Sequence, residues 1–144
     1  MIALSVRMPS GAPLRDAVTL RCVIVDDSTA VLRAACELLD GEGVSVVAVA
    51  TTGEEAERAV DTHEPDVVLI DIDLGEESGL DLGRMLQPRL QTIGSHSILI
   101  STHDESEFAD LIEASPAIGF VAKADLSADA IQRLLDHAPE ESGT

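Results

Sequence analysis

Two short aliphatic segments of the chain end on carboxylates. Residues 67–70 lead into Asp71, and residues 20–25 lead into Asp26 and Asp27. An uninterrupted apolar segment of this length is typical of a strand that is buried on both faces of a parallel sheet. Ligands of such sheets bind beyond the carboxyl ends of the strands, so the three aspartates are candidate site residues.

Three neighbouring carboxylates have the chemistry of a metal site. Like charges that lie close together raise the pKa of at least one carboxyl group unless a cation balances them. Oxygen ligands of this kind suit Mg²⁺, or Mn²⁺ in its place, and Mg²⁺ often binds a phosphate as well. The alternative is that Asp26 or Asp27 only caps the helix that follows, as aspartate often does.

Two polar residues follow apolar segments later in the chain. Ser101 ends the segment 97–101 and Lys123 follows the segment 118–122, so both are expected at the same edge of the sheet as Asp71. Lys123 is the only lysine among nine basic residues. A compact ammonium suits a phosphoryl oxygen in a way that arginine does not reproduce. The alternatives are a solvated surface lysine and a serine that only solvates a loop.

Five strand patterns alternate with five helical patterns. The strands are predicted over residues 20–25, 44–50, 67–71, 97–101 and 118–122. The helices are predicted from Ser28, over 54–63, from Leu80 to an early end at Pro88, over 105–114 with Phe108, Leu111 and Ile112 inward, and over 128–137. Such alternation requires right-handed crossovers and a parallel sheet covered on both faces. The predicted fold class is α/β, a flavodoxin-like doubly wound five-stranded parallel sheet of order 2-1-3-4-5 with five helices.

The composition indicates one globular domain. Hydrophobic residues make up 45% of the 144-residue chain, which is enough for a core. We expect the domain over residues 20–138, a disordered N-terminal extension over 1–19 and a C-terminal tail over 139–144.

The charge balance excludes some classes of partner. With 27 acidic and 9 basic residues, the formal charge is -18, which disfavours direct binding to nucleic acid or to acidic membranes. No apolar segment approaches the ~20 residues of a membrane helix. Cys22 and Cys36 lack metal-ligand spacing and are interpreted as buried thiols, which favours a cytoplasmic location.

Four local motifs stand in one register with the candidate site residues. They are VDDS at residues 25–28, LIDI at 69–72, SGL at 78–80 and GFVAK at 119–123. Together with the spacing of the aspartates, the serine and the lysine, they make the chain resemble the receiver domain of bacterial two-component response regulators. The resemblance covers about residues 20–138.

The resemblance implies a phosphoacceptor site that contains a metal. In that family the aspartate at the position of Asp71 accepts a phosphoryl group from a phosphohistidine. Asp27, Asp71 and the backbone carbonyl of Asp73 are then expected to hold Mg²⁺ (or Mn²⁺), while Asp26 contributes through water. Lys123 is expected to pair with the phosphoryl group.

The resemblance also implies a conformational switch. Ser101 is expected to move toward the phosphoryl group, and Phe120, the family's aromatic switch position, to rotate inward. The alternative for Phe120 is an ordinary core aromatic. Thr102 and His103 occupy positions that tune access and phosphate lifetime in the family, and Asp73 flanks the site in the same way.

The partners implied by the resemblance are proteins. The donor is expected to be a sensor histidine kinase or a phosphotransfer protein, and the output to pass to a downstream protein or to a homodimer. The residues after Lys123 leave room for one helix, so a stand-alone receiver or a fragment of a longer regulator is expected. Catalysis beyond the receiver's own phosphorylation and dephosphorylation is not expected.

The chain departs from the family pattern at Gly75, at Ala124 and at Thr102, which occupies a position that is usually small and is expected to narrow donor access. Gly75 stands where the family usually has proline, so a more mobile loop is expected after the acceptor. Ala124 follows Lys123 where the family usually has a cis-proline. A cis non-proline bond costs about 2.5–4 kcal/mol, so we expect either a trans bond with a shifted loop or a strained cis bond.

Two other functions remain open at this point. The first is a degenerate receiver that acts only as an interaction module. The second is a phosphatase of the haloacid-dehalogenase type, because Asp71-Ile72-Asp73 after an apolar strand resembles the nucleophile motif of that family. The phosphatase reading leaves Asp26 and Asp27 without a role.

Overall fold

The computed structural model describes residues 19–103 and 105–138, with the side chain of Glu105 excluded. The predicted extension over residues 1–19, apart from its last residue, and the predicted tail over 139–144 lie outside the described residues.

A five-stranded parallel sheet forms the centre of the protein. Its strands are β1 (Leu20–Val25), β2 (Val44–Ala50), β3 (Val67–Asp71), β6 (His96–Ser101) and β7 (Gly119–Ala122), in the order β2-β1-β3-β6-β7. Counted along the chain, this is the predicted order 2-1-3-4-5. Two short antiparallel strands between β3 and β6, β4 (Asp73–Leu74) and β5 (Glu77–Ser78), form a hairpin that the sequence did not predict.

Five α-helices follow the strands. They are α1 (Thr29–Gly41), α2 (Gly53–His63), α3 (Gly79–Ile93), α4 (Ala109–Ala114) and α5 (Ala128–Asp136). Four of them begin after a Ser or Thr whose hydroxyl accepts a hydrogen bond from a backbone N–H of the first turn, namely Ser28, Thr52, Ser78 and Ser127. Such a cap contributes about 1 kcal/mol to a helix. Single 3₁₀ turns lie at Glu105–Glu107 and Lys123–Asp125.

The sheet separates two aliphatic cores. Buried side chains of α2, α3 and α4 cover one face of the sheet, and those of α1 and α5 cover the other. Every residue of β3 is buried, as expected for a central parallel strand. Each fully buried aliphatic side chain contributes about 1.5–3 kcal/mol, and these cores hold the strand ends in place.

The prediction that Pro88 ends the third helix early is wrong. Helix α3 continues through Pro88 to Ile93. Pro88 lies on the exposed side of the helix, where the carbonyl that loses its helical partner can bond to water. Leu86 and Leu90, on either side of it, are fully buried and hold the helix against the sheet.

The fourth helix is shorter than predicted. It begins at Ala109 after the 3₁₀ turn and ends at Ala114, because Ser115 is extended before Pro116. Ile112 is buried, as expected, and Phe108 packs partly buried against the same core. Leu111 was predicted to face inward, but it is 48% exposed. The six-residue helix turns the face that carries Ile112 toward the sheet.

The two cysteines differ in burial. Cys22 lies fully buried in β1, whereas Cys36 is half-buried in α1, and they form no disulfide with each other. Burial raises the pKa of both thiols. The prediction of a buried thiol is confirmed for Cys22 and holds only in part for Cys36.

A glycine pair on α3 tests how closely this helix approaches the sheet. An added Cβ at Gly79 would collide with the backbone carbonyl of Asp71, whereas at Gly83 it would lie 3.9 Å from Ile70. We expect Gly79→Ala to destabilise the fold by about 3 kcal/mol and Gly83→Ala to be neutral or to stabilise it by up to about 1 kcal/mol. Urea unfolding followed by circular dichroism measures both, and equal stabilities would contradict this packing.

Candidate functional site

Asp71 is the last residue of β3 and is buried, with 5% of its surface exposed. Its Oδ1 accepts a hydrogen bond from the backbone N–H of Asp73 at 3.2 Å. The backbone of the next residue is fixed by two hydrogen bonds, since Ile72 N–H donates to the Ile100 carbonyl at 3.0 Å and Gly79 N–H donates to the Ile72 carbonyl at 2.8 Å. The carboxylate is therefore held at the edge of the sheet by backbone geometry.

Asp26 and Asp27 follow β1, which lies beside β3 in the sheet. Asp26 is fully buried and its Oδ1 accepts from Ser28 N–H at 2.9 Å, while Asp27 is exposed. One carboxylate oxygen from each of Asp26, Asp27 and Asp71 lies within 4.8 Å of the other two. The cap of α1 is the Ser28 hydroxyl, so neither aspartate is the helix cap that was considered as an alternative.

Lys123 points into this cluster from the 3₁₀ turn after β7. Its Nζ donates a hydrogen bond to Asp71 Oδ2 at 3.1 Å and forms an ion pair with Asp26 Oδ2 at 2.5 Å. The side chain is 15% exposed. The lysine therefore bridges the two buried carboxylates, and the reading of a solvated surface lysine does not describe it.

The pKa values follow from this crowding. Burial raises the pKa of Asp71 above its ordinary value and the charge of Asp26 adds to the rise, whereas Lys123 and the Asp73 N–H oppose it. Burial by itself lowers the pKa of Lys123, but its contacts with Asp26 and Asp71 outweigh burial, so this pKa is raised. Lys123 therefore carries its charge at neutral pH.

The cluster fits a divalent cation by charge and by donor type. Three carboxylates and one ammonium leave two negative charges when all are ionised. The side-chain ligand atoms of the cluster are all carboxylate oxygens, which Mg²⁺ and Mn²⁺ accept, and the exposed Asp27 leaves a side open to water. A divalent cation would therefore balance the charge that Lys123 leaves over.

Ser101 and Phe120 lie on β6 and β7, the next two strands of the sheet after β3. Ser101 ends β6, is 2% exposed, and its Oγ accepts from the backbone N–H of His103 at 3.0 Å. Its own hydroxyl proton remains available to a second acceptor. Phe120 pairs with Leu99 in the sheet and packs, partly buried, against the core that α2, α3 and α4 cover.

Thr102 and His103 lie exposed beyond the end of β6. The His103 ring stands edge-on to Phe108, with centroids 5.9 Å apart, and its Nδ1 lies 3.6 Å from Glu107 Oε1. Both residues are thus at the rim of the site, next to Ser101.

The hairpin of β4 and β5 forms the remaining wall. Asp73 lies exposed in β4, and its Oδ1 accepts from Gly75 N–H at 3.1 Å. Gly75 has φ +78°, a left-handed conformation that proline cannot adopt because its ring fixes φ near -65°. The absence of proline at this position is thus required by the hairpin.

The Lys123–Ala124 bond is trans, since the described residues contain no cis peptide. Of the predicted outcomes, the trans bond is therefore confirmed, and the loop there forms the 3₁₀ turn. Sequence reasoning missed Glu77, whose Oε1 accepts from Gly53 N–H at 2.7 Å. The sequence gives no signal for this contact, because nothing in its pattern separates Glu77 from the neighbouring acidic residues of the loop.

Comparison with known proteins gives the family. Residues 22–135 match the model of the response regulator receiver domain, and the chain belongs to this family. A solved structure of the signal receiver domain of NarL from Mycobacterium tuberculosis is similar, with a TM-score of 0.69 and 25% identity over 82% of this chain and 94% of that one. The fold is the receiver fold, and the family places the chain among two-component signalling proteins rather than among dehalogenase-type phosphatases.

Curated relatives match part of their length. The alginate biosynthesis transcriptional regulatory protein AlgB of Pseudomonas putida is 34% identical over 98 residues, which are 67% of this chain and 21% of AlgB. The protein-glutamate methylesterase/protein-glutamine glutaminase of Natronomonas pharaonis is 40% identical over 68 residues, 46% of this chain and 19% of that protein. The chain thus spans about a fifth of the length of these relatives.

Receiver domains work with histidine kinases and with downstream effectors, and members of the family bind Mg²⁺. Among the described helices of this chain, none has the length and apolar character to cross a membrane.

The contacts of Lys123 with the two buried carboxylates have a measurable consequence. Lys123→Met leaves Asp26 buried without a counter-charge, so we expect a loss of about 3 kcal/mol in unfolding free energy. Arg133→Met is the control, because it breaks an exposed ion pair with Asp129 of 2.6 Å and should cost less than about 1 kcal/mol. Chemical unfolding without divalent cations measures both. Equal losses would show that the Lys123 contacts are no stronger than a surface pair.

Proposed function

We propose that this receiver domain is a phosphorylation-dependent signalling switch that accepts a phosphoryl group on Asp71. The observation that supports this best is the position of Asp71 between a carboxylate pair and an ammonium. One of its carboxylate oxygens lies within 4.8 Å of an oxygen of Asp26 and of Asp27, and its Oδ2 lies 3.1 Å from Lys123 Nζ. This combines a nucleophile with charges that can balance a phosphoryl group.

The transfer forms one bond and breaks one. An Asp71 carboxylate oxygen attacks the phosphorus of a donor phosphohistidine, and the new O–P bond forms as the N–P bond breaks. The electron pair of that bond stays on the imidazole nitrogen, which the donor protein keeps. The phosphorylated state ends when water attacks the phosphorus of the acyl phosphate. Inorganic phosphate is then released and the Asp71 carboxylate is restored.

Lys123 and Ser101 would stabilise the transferred group. Lys123 now bridges Asp26 and Asp71, and a phosphoryl oxygen on Asp71 offers its ammonium a further anionic partner. Ser101 uses its oxygen to accept from His103 N–H, so its proton is free to donate to the phosphoryl group. Positioning and charge neutralisation of this kind dominate phosphoryl transfer.

Mg²⁺, or Mn²⁺ in its place, would neutralise charge on the phosphoryl oxygens. Asp27, Asp71 and the Asp73 backbone carbonyl are the proposed ligands. The Asp26 carboxylate is already engaged by Lys123 and by Ser28 N–H, which supports an indirect contribution through water. Thr102 and His103, exposed beside Ser101, are the proposed tuning positions.

The output would arise from movement around Ser101. If Ser101 shifts toward the phosphoryl group, Phe120 can turn into the space beside β6 and alter the surface of α4, β7 and α5. A change of local charge then biases a two-state element. Phe120 is only partly buried against the core, so its ring could turn further into the core or toward solvent.

The proposed partners are proteins. The donor is a sensor histidine kinase or a phosphotransfer protein, and the effector is a downstream protein or a second copy of the chain. The formal charge of -18 favours a donor or a downstream protein that offers a basic surface, and it disfavours direct contact with nucleic acid.

Phosphorylation with a small donor tests the acceptor. The wild type, Asp71→Asn and Asp73→Asn are incubated with Mg²⁺ and acetyl phosphate and then compared by intact-mass spectrometry. We expect the wild type and Asp73→Asn to gain the mass of one phosphoryl group that is lost in base, because an acyl phosphate is base-labile. Asp71→Asn should gain none, and equal labelling of this variant would refute the assignment.

Metal binding tests the ligands separately. Asp27→Asn removes a proposed ligand, and Asp110→Asn removes an equal charge from the exposed first turn of α4. We expect Asp27→Asn to weaken Mg²⁺ binding at least about tenfold, while Asp110→Asn stays near the wild type. Because the chain contains no Trp or Tyr that could report binding by fluorescence, the affinity is measured by isothermal titration calorimetry. Unchanged affinity in Asp27→Asn would exclude Asp27 as a ligand.

A further inference from the structure

The hairpin of β4 and β5 lies against the proposed metal ligands. Asp73 N–H donates to Asp71 Oδ1 at 3.2 Å. A side chain on Gly75 would begin 3.1 Å from Asp27 Oδ2, so the backbone at the hairpin turn adjoins that carboxylate. The position of the hairpin therefore sets where the Asp73 backbone stands relative to Asp27 and Asp71.

Glu77 fastens this hairpin to α2. Its Oε1 accepts from the backbone N–H of Gly53 at 2.7 Å. Gly53 is the first residue of α2, and N–H groups of the first turn lack partners within a helix. The Thr52 hydroxyl serves the N–H of Glu55, so Glu77 supplies the acceptor for a different donor.

The packing around Gly53 leaves room for this carboxylate. Gly53 is buried, and an added Cβ would stand 3.0 Å from Glu77 Oε1. A negative charge at the start of a helix is also favoured by the helix dipole. Besides Glu77, the buried Leu74 attaches the hairpin to the core, but an apolar contact does not fix the hairpin's orientation as a directional hydrogen bond does.

The neighbouring Glu76 provides a contrast. It lies exposed in the turn of the hairpin and forms no hydrogen bond or ion pair with the part of the chain that the structure describes. Both glutamates add one negative charge near the site. Only Glu77 connects the hairpin to another element through its carboxylate.

We infer that Glu77 is a positioning residue of the metal site, which holds the β4–β5 hairpin on the N-terminus of α2 so that the Asp73 backbone stays beside Asp27 and Asp71. The inference rests on the proposed Mg²⁺ site. It assigns a role to a side chain that the phosphoacceptor chemistry itself does not use.

Three variants separate position from charge. Glu77→Ala removes the contact and the charge, Glu77→Gln keeps an oxygen that can accept from Gly53 N–H, and Glu76→Ala removes the same charge one residue away. Mg²⁺ affinity is measured by calorimetry, and the electron paramagnetic resonance spectrum of bound Mn²⁺ reports the ligand geometry. Melting temperatures are followed by circular dichroism.

We expect Glu77→Ala to bind Mg²⁺ about tenfold more weakly than the wild type and to change the spectrum of bound Mn²⁺. Glu76→Ala should change affinity by less than about threefold, because an exposed charge is screened. Glu77→Gln should stay within about threefold of the wild type, because rescue needs the acceptor and not the charge. If Glu77→Ala does not fold, Glu77→Asp replaces it, since its carboxylate is one methylene shorter and should weaken binding likewise.

Two results would overturn the inference. If Glu77→Ala lowers the melting temperature but binds Mg²⁺ as Glu76→Ala does, with an unchanged Mn²⁺ spectrum, then Glu77 only caps α2. If the wild type binds neither cation, the proposed metal site itself fails and the role of Glu77 fails with it. The first result leaves the proposed function intact, so the two failures are distinguishable.

Discussion

The crowding of like charges at the end of the central strands is the constraint on which the rest of the site depends. Asp26 and Asp71 are buried beside each other, and bringing such carboxylates out of water is unfavourable unless a cation accompanies them. Lys123 meets this need by contacting both. The exposed Asp27 leaves an excess of negative charge, which a second cation would balance.

The parallel sheet makes this crowding possible because it fixes the positions of the strand ends that carry the charged groups. Asp26, Asp71 and Ser101 each stand at or directly after the end of a strand. Asp26 N–H donates to the Ala50 carbonyl, and Asp71 and Ser101 lie in strands paired with their neighbours in the sheet. The aliphatic cores on both faces hold the strands in register. The candidate site residues are therefore positioned by the hydrogen-bonded sheet and not by the loops alone.

Much of this arrangement follows from the sequence for physical reasons. Apolar segments that end on Asp26, Asp71 and Ser101 identify buried parallel strands, and the crossover rule then brings their ends to one edge. The sheet order was predicted correctly on these grounds. The contact of Lys123 with Asp26 was not predicted, because an ion pair between side chains depends on a loop conformation that strand patterns do not encode.

The misses share a cause in tertiary packing. Pro88 lies within α3 because Leu86 and Leu90 are buried on the other side, and burial outweighs a lost backbone hydrogen bond on the solvent side. Leu111 is exposed because α4 has only six residues and packs Ile112, not Leu111, against the core. The β4–β5 hairpin depends on the left-handed backbone of Gly75, which a lone glycine in an acidic loop does not reveal.

The central claim is that residues distant in sequence meet around one divalent cation. Anomalous diffraction from crystals soaked in Mn²⁺ locates such an ion directly. We predict one strong peak within ligand distance of the Asp27 and Asp71 carboxylates and the Asp73 carbonyl, with Lys123 on the opposite side of Asp71. A peak elsewhere on this acidic surface, with none among these residues, would contradict the account.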